Sequence, residues 1–194
     1  MGLEQVRAGI GLTGSFCTFA CVFESLEEIK KNHPGIEFTF VLSYHVQALP
    51  NRFCSPEETL ARAESLSARE PVRTIPQAEP LGPKGLLDIF VIAPCTGNTL
   101  AKLAAGVTDT PVLMAAKGHL RGGKPLLVFL SSNDALGLNL KNIGTLLNTK
   151  HVYFVPFGQD APGAKPNSLV ARAQLLPAAM EAALRGEQMQ PLLV

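Results

Sequence analysis

The sequence predicts an α/β protein: a doubly wound, mainly parallel, Rossmann-like sheet of the flavoprotein type, with helices on both faces. Three observations predict it. Apolar runs of strand length recur at residues 6–12, 36–42, 89–93, 125–130 and 151–155. Longer stretches with helical periodicity lie between several of them, as the crossovers between parallel strands require. The runs are almost continuously apolar, which is the pattern of strands covered on both faces.

Composition narrows the class. Of the 194 residues, 46% are hydrophobic and 17% charged, enough for a substantial core in a single domain expected over residues 1–194. A formal net charge of +1 makes no electrostatic case for nucleic acid or a membrane surface. No apolar run reaches the roughly 18 residues of a spanning helix. The opening Met-Gly-Leu-Glu-Gln-Val-Arg lacks an apolar signal-peptide core, so a cytoplasmic protein is expected. Cys17, Cys21, Cys54 and Cys95 form no Cys-x-x-Cys pair; reduced, packed thiols are expected, and no metal site.

Residues 6–12 make the first strand, Thr13-Gly14-Ser15 the turn, and residues 16–31 the first helix. This span contains a formal dinucleotide fingerprint, Gly9-x-Gly11-x-x-Gly14. It fails on two counts. Gly9 and Gly11 fall inside the strand rather than after it. The second strand, residues 36–42, ends in Ser43 instead of the acidic residue that would hold a ribose. Gly14 and Ser15, with Phe16 beside them, are instead candidates for an anion cradle. Ser43, at the same edge of the sheet, either adds a hydroxyl to it or is an ordinary turn residue.

Residues 44–87 are the most irregular part, punctuated by Pro50, Pro56, Pro71, Pro76, Pro80 and Pro83. A helix over residues 56–69 fits Ser55 as its cap and Pro56 in its first position. The rest reads as loop, an insertion on the ligand side of the sheet that suits a lid. Its candidates for a substrate carboxylate are His45, Asn51 and Arg52. Arg52 can clamp an acid bidentately or simply sit on the surface, and His45 can equally be structural.

Residues 88–109 carry the densest signal. A buried strand at 89–93 is expected to stop at Pro94, which has no N–H for the ladder. Cys95, Thr96, Gly97 and Asn98 form a polar turn. Thr99 then opens a helix that ends near Gly106. In an open α/β sheet such a junction is where ligands bind, because free backbone N–H groups and the helix dipole point into the crevice. The turn offers hydroxyls and an amide but no acid, base or metal ligand, which suits a polar, anionic cofactor.

A helix over residues 110–120 follows. Residues 118–124, Gly-x-x-x-x-Gly-Lys, imitate a phosphate loop, but Pro125 stands where a hydroxyl residue belongs and a strand follows. That strand, residues 125–130, ends in Ser131-Ser132-Asn133-Asp134, another polar turn. Residues 135–147 read as a helix, 151–155 as the last strand and 166–185 as a closing helix. Asp134 can accept a proton or cap the helix after it. Three polar turns therefore converge on one edge: Gly14-Ser15, residues 96–99, and Ser131-Ser132-Asn133, with Ser43 alongside.

The run Ala93-Pro94-Cys95-Thr96-Gly97-Asn98-Thr99 resembles the Ala-Pro-x-Thr-x-Asn-Thr signature of the homo-oligomeric flavin-containing Cys decarboxylase family. That family includes phosphopantothenoylcysteine decarboxylase and, more distantly, the prenyl-FMN synthases. The resemblance implies FMN at the carboxyl edge of the sheet and trimer-based homo-oligomers. Other blocks extend over nearly the whole chain: Gly11-Leu12-Thr13-Gly14-Ser15, Ala78-Glu79-Pro80-Leu81-Gly82-Pro83-Lys84, Asn133-Asp134-Ala135-Leu136-Gly137-Leu138-Asn139 and Pro156-Phe157-Gly158-Gln159-Asp160. They resemble the family of B subunits of dipicolinate synthases. That implies a cytoplasmic oxidoreductase subunit of spore formers, a dicarboxylate substrate (dihydrodipicolinate, oxidised to pyridine-2,6-dicarboxylate), and an A subunit that brings NADP.

Carried over residue by residue, Gly14, Ser15 and Ser43 match positions where the family grips the FMN phosphate and ribityl chain. Pro94, Thr96, Gly97, Asn98 and Thr99 match its central FMN turn, and Ser131 and Ser132 complete the cofactor set. Where the decarboxylases carry Pro-x-Met-Asn, this chain has Ser131-Ser132-Asn133-Asp134. It keeps an asparagine and loses the motif, which argues against decarboxylation and leaves flavin retention open. Arg52, His45, Lys117 and Asn133 are the candidates for the dicarboxylate, with Asp134 as proton acceptor. The alternative is a non-redox binding or scaffold subunit supporting the A subunit.

Overall fold

The computed structural model describes residues 2–194. Strand β1 (Arg7–Leu12) lies between β2 (Glu37–Leu42) and β3 (Ile89–Cys95), and β3 pairs with β4 (Leu126–Ser132), all in parallel. Every residue of β3 and β4 is buried, as their unbroken apolar runs require. The first half of β4 pairs in parallel with β5 (Val152–Phe154). Its last two residues, Ser131 and Ser132, pair antiparallel with β7 (Leu169–Ala171), which is itself paired with β6 (Phe157–Gln159). A five-stranded parallel sheet thus carries a short antiparallel hairpin where β4 ends.

Helices α1 (Phe19–Asn32) and α8 (Leu176–Leu184) pack together on one face. The crossover that carries the chain from β2 back to β3 contains α2 (Tyr44–Ala48), α3 (Pro56–Leu66) and α4 (Ile75–Ala78). Its α3 lies beside α1, with Arg62 paired to Glu27 at 2.8 Å and set over the Phe23 ring, whereas α4 packs on α6 (Pro111–Arg121) on the other face. Phe23, Phe38, Phe40, Phe90, Phe129 and Phe154 fill the core. Gly9 and Gly11 lie inside β1, and a Cβ on Gly9 would meet the Phe90 ring and Leu87. These glycines serve packing, which is why the fingerprint is empty.

Five expectations need correction. Pro94 does not end β3: the strand reaches Cys95, with its register against β4 shifting between Ile92 and Cys95. The missing N–H falls at that irregularity, where no ladder bond is needed from it, and the proline carbonyl accepts the Thr13 hydroxyl at 2.7 Å. Helix α5 (Gly97–Ala104) opens two residues before Thr99, with Thr96 as its cap.

Residues 44–87 are less irregular than expected. Besides α3, α2 and α4 form there, α4 closed by a Thr74–Gln77 capping box. Ser67 and Val72 bridge to β2, so only part of the stretch overhangs the sheet edge. The helix read at 135–147 begins only at Leu140, as α7 (Leu140–Leu147). Nor is 166–185 one helix: β7 occupies its first part, and Pro177 sits in the first turn of α8. That proline was the readable signal, since it cannot lie in a helix interior without losing a hydrogen bond.

Candidate functional site

The strand order reverses direction between β1 and β3, and that switch point is where an open sheet leaves a crevice. Thr13 ties the two strand ends together there. Its buried Oγ1 donates to the Pro94 carbonyl at 2.7 Å and accepts the Thr96 N–H at 3.0 Å. Thr96 caps α5: its Oγ1 accepts the Thr99 N–H at 3.1 Å and donates to Thr99 Oγ1 at 3.0 Å. Gly97 and Asn98, in the first turn, have N–H groups with no helical acceptor. Gly97 is a glycine because the turn is crowded: a Cβ there would stand 2.6 Å from Ser132 Oγ and 2.7 Å from Asn139 Nδ2.

The other two turns lock onto this one. Ser15 Oγ donates to the Ser131 carbonyl at 2.8 Å, and Thr18 Oγ1 donates to the Ser15 carbonyl at 2.8 Å and reaches Ser131 Oγ at 3.4 Å. Ser132 Oγ accepts the Asp134 N–H at 3.3 Å. Asn142 Nδ2 donates to Asn139 Oδ1 at 2.9 Å, and Asn139 Nδ2 donates to Asp134 Oδ2 at 3.3 Å, fixing that carboxylate.

Above this floor opens a cavity of about 800 Å³. Gly14, Ser15, Phe16, Thr96, Gly97 and Asn98 line it from one side, and Ser131, Ser132, Asn133 and Asp134 from another. Arg52 enters from the loop after α2. Asn51 Oδ1 shapes that loop by accepting the Phe53 N–H at 2.9 Å and the Cys54 N–H at 3.2 Å. The Arg52 guanidinium carbon lies 4.8 Å from the centre of the Phe53 ring. Among the described residues it forms no ion pair, so its hydrogen-bonding fork has no carboxylate.

A second cavity, of about 560 Å³, shares Gly14, Phe16, Thr96 and Asn98 with the first. Ser43, His45 and Thr99 line it, together with the Lys102–Asp109 ion pair at 2.6 Å. Ser43 is only 6% exposed, and its hydroxyl is a buried polar atom with no hydrogen-bond partner among the described residues. Such an orphan costs desolvation free energy unless a ligand meets it.

Arg52, Asn133 and Asp134 therefore share one cavity, and His45 stands in its neighbour. Pro94 lies buried beneath the floor and lines neither. Lys117 is elsewhere, in a groove between α5 and α6 with Leu103 and Arg121. Cys95 is fully buried, and burial pushes its thiol well above the usual range, so it stays protonated and unreactive.

Sequence reasoning missed Thr13, Asn139, Asp160, Lys165 and Ser168. The last three come from the β6–β7 hairpin and face the large cavity. Lys165 and Ser168 were hidden by reading residues 166–185 as a helix, which left no hairpin to carry them to the site. Burial alone would raise the Asp160 carboxyl, but hydrogen bonds from Ser168, its own backbone and Lys165 outweigh that and hold it below the usual carboxylate range. The site as a whole offers hydroxyls, amides, free backbone N–H groups and an unpaired guanidinium: a holder for anionic, polar molecules.

Comparison with known proteins agrees with this geometry. The family model described as Flavoprotein matches residues 2–180. The chain is 47% identical over 192 residues to the B subunit of dipicolinate synthase from Bacillus subtilis (strain 168), covering 99% of this chain and 95% of that one. The crystal structure of the B subunit of dipicolinate synthase from Bacillus halodurans C superposes with a TM-score of 0.90 at 46% identity, covering 100% of this chain and 98% of that one. The FMN-dependent cysteine decarboxylase SpaF shares the fold, with a TM-score of 0.68 at 20% identity, covering 95% of this chain and 98% of that one.

Proposed function

The chain belongs to the flavoprotein family, and from that premise we propose that it is an FMN-binding oxidoreductase subunit that helps convert dihydrodipicolinate to pyridine-2,6-dicarboxylate. It would act beside a nicotinamide-dependent A subunit that brings NADP. The reaction rests on the near-full-length identity to the Bacillus subtilis protein.

The observation that carries the cofactor is the buried, unpartnered Ser43 hydroxyl at the end of β2. The donor set around it fits an FMN phosphate and ribityl chain. Ser43 can donate to the phosphate, and the Gly97 and Asn98 N–H groups add the positive end of α5. The close approach that Gly97 allows, and two cavities that share Gly14, Phe16, Thr96 and Asn98, suit an elongated cofactor. Bound there, FMN supplies a two-electron acceptor.

The chain's own groups would do the rest. The Arg52 fork takes one substrate carboxylate and the Asn133 amide donates beside it. Asp134, steadied by Asn139, accepts the proton lost as the ring becomes aromatic. The exposed Leu136, Leu138 and Leu140 follow Asp134 directly and suit contact with further subunits. A peptidyl-cysteine decarboxylase is not proposed, because Ser131-Ser132-Asn133-Asp134 replaces the motif that chemistry uses in the family.

One observation favours a second reading, a non-redox binding protein. Asp134 and Asp160, the two carboxylates of the large cavity, are both held by hydrogen bonds, and His45 lies outside it. Titration with FMN, followed by absorbance, separates the two. Saturable binding, together with substrate-dependent turnover when the A subunit and NADP are added, is the expected result. Turnover without flavin binding would favour the second reading. Absence of turnover with a competent A subunit would sink both.

A further inference from the structure

The large cavity has four charged side chains: Arg52, Asp134, Asp160 and Lys165. Asp134 is turned toward Asn139, and Arg52 has no acidic partner among the described residues. The remaining pair, on the β6–β7 hairpin, is loose. Lys165 Nζ stands 3.3 Å from Asp160 Oδ2 with its side chain 59% exposed, an arrangement that contributes little to stability. Asp160 is the more enclosed partner, its side chain 28% exposed, and Ser168 and its own backbone also favour its charged form. It can therefore stay in place when the lysine turns away.

The backbone carrying this pair is fixed. Gln159 Nε2 donates to the Pro166 carbonyl at 2.8 Å, the Ser168 N–H to the Lys165 carbonyl at 3.0 Å, and the Leu136 N–H to the Asn167 carbonyl at 3.0 Å. The last bond ties the hairpin to the segment that follows Asn133 and Asp134. Beyond it, β7 pairs with Ser131 and Ser132. Lys165 thus lines the cavity from a different segment than Arg52, and hydroxyls and amides line the same cavity. One cation would read a monoacid; two on separate segments read a small molecule with an acid group at each end.

We propose that Lys165 is the second carboxylate anchor of this cavity, and that Asp160 is an internal carboxylate which the ligand's acid group displaces from Lys165. The diacid chemistry of the ligand rests on the function proposed above; the anchor and its counter-ion are inferred from the hairpin.

The test is calorimetric titration of the purified full chain with pyridine-2,6-dicarboxylate and, as a one-armed control, pyridine-2-carboxylate. Lys165→Gln should lower diacid affinity about tenfold, a charged hydrogen bond's worth, and leave the monoacid unchanged, so the preference for the diacid largely disappears. Asp160→Asn should move the other way and tighten the diacid a few-fold, because the internal competitor is gone. A merely structural ion pair would make both variants weaken binding together. That result, an equal effect of Lys165→Gln on both ligands, or a wild-type chain that binds neither, overturns the proposal. Thermal denaturation confirms that each variant folds. The FMN titration and the assay with the A subunit test the parent reading separately: turnover without diacid binding by this chain sinks the anchor alone, and opposite-signed variant effects without turnover sink the reading alone.

Discussion

The two edges of the sheet are built from similar residue types and use them in opposite ways. At the amino edge, the Arg7 backbone N–H and Nε each donate to Asp88 Oδ2 at 3.0 Å, and Nη2 donates to Oδ1 at 2.6 Å. Lys124 stands 3.7 Å from the same carboxylate and also donates to the Leu87 carbonyl. These bonds raise the Arg7 guanidinium's pKa and lower that of the Asp88 carboxyl. His119, buried against Phe90, donates to the Pro125 carbonyl at 3.0 Å. Each of these groups has a partner within the chain. At the carboxyl edge, the Ser43 hydroxyl and the first N–H groups of α5 have no hydrogen-bond partner, and the Arg52 fork no ion-pair partner, among the described residues. The difference teaches where to look for a ligand: a polar edge closed on itself holds the fold, and a polar edge left open awaits something from outside.

If that division is right, variants at the amino edge should cost stability and leave FMN affinity per folded molecule unchanged. The largest effect is expected at Gly82, on the approach to β3. A Cβ there would run into the backbone of Gly118 on α6, and neither backbone can move without shifting a helix. Gly82→Ala should lose about 3 kcal/mol, as overpacking at a rigid contact does, read as a lower urea midpoint. A midpoint within experimental error of wild type would show that α4 and α6 are not held together as described.

His119 comes next. Desolvation by burial pushes its pKa down from 6.5 to about 4, so the unfolded chain binds a proton that the folded chain refuses. The stabilisation is complete above about pH 6.5 and disappears as the pH falls toward 4. Between about pH 7 and pH 5 roughly 2 kcal/mol should be lost through this group. His119→Gln should flatten that part of the stability profile. An unchanged slope would mean that the imidazole is not the group that titrates.

The amino edge also shows what a single sequence makes legible. β1, β3 and β4 were readable because their strands are buried on both faces and say so in unbroken apolar runs. Ser55 and Pro56 were readable because capping is local: the Ser55 hydroxyl accepts the Glu58 N–H three residues on. The polar turns were readable for the same reason, each being a strand end followed by small hydroxyl residues. The hairpin was not. β6 and β7 are three residues each, and their partner is an extension of β4 reached by a long-range pairing that no local period encodes. Lys165 and Ser168 came to the site by that pairing, and Thr13 acts through hydrogen bonds to Pro94 and Thr96, which only the fold brings near; Asn139 bonds locally, to Asp134 and Asn142, and meets Gly97 only in the fold. Lys117 failed for the converse reason: its charge is visible in the sequence, but the turn of α6 directs it away from the crevice.

The smallest expected change in stability is the one that tests the open edge most directly. Ser43→Ala removes a hydroxyl that is buried without a partner, so in the free chain it removes a desolvation penalty and should stabilise by about 1 kcal/mol. The same substitution removes a donor from the proposed phosphate position and should weaken FMN binding about tenfold. The two signs oppose each other, and that opposition is what sets a ligand-binding hydroxyl apart from a structural one. A structural hydroxyl would lose stability on truncation and leave the cofactor indifferent. If Ser43→Ala destabilises the free chain and binds FMN as wild type does, the open edge at β2 is closed by some contact within the fold, and the cofactor site loses its phosphate end.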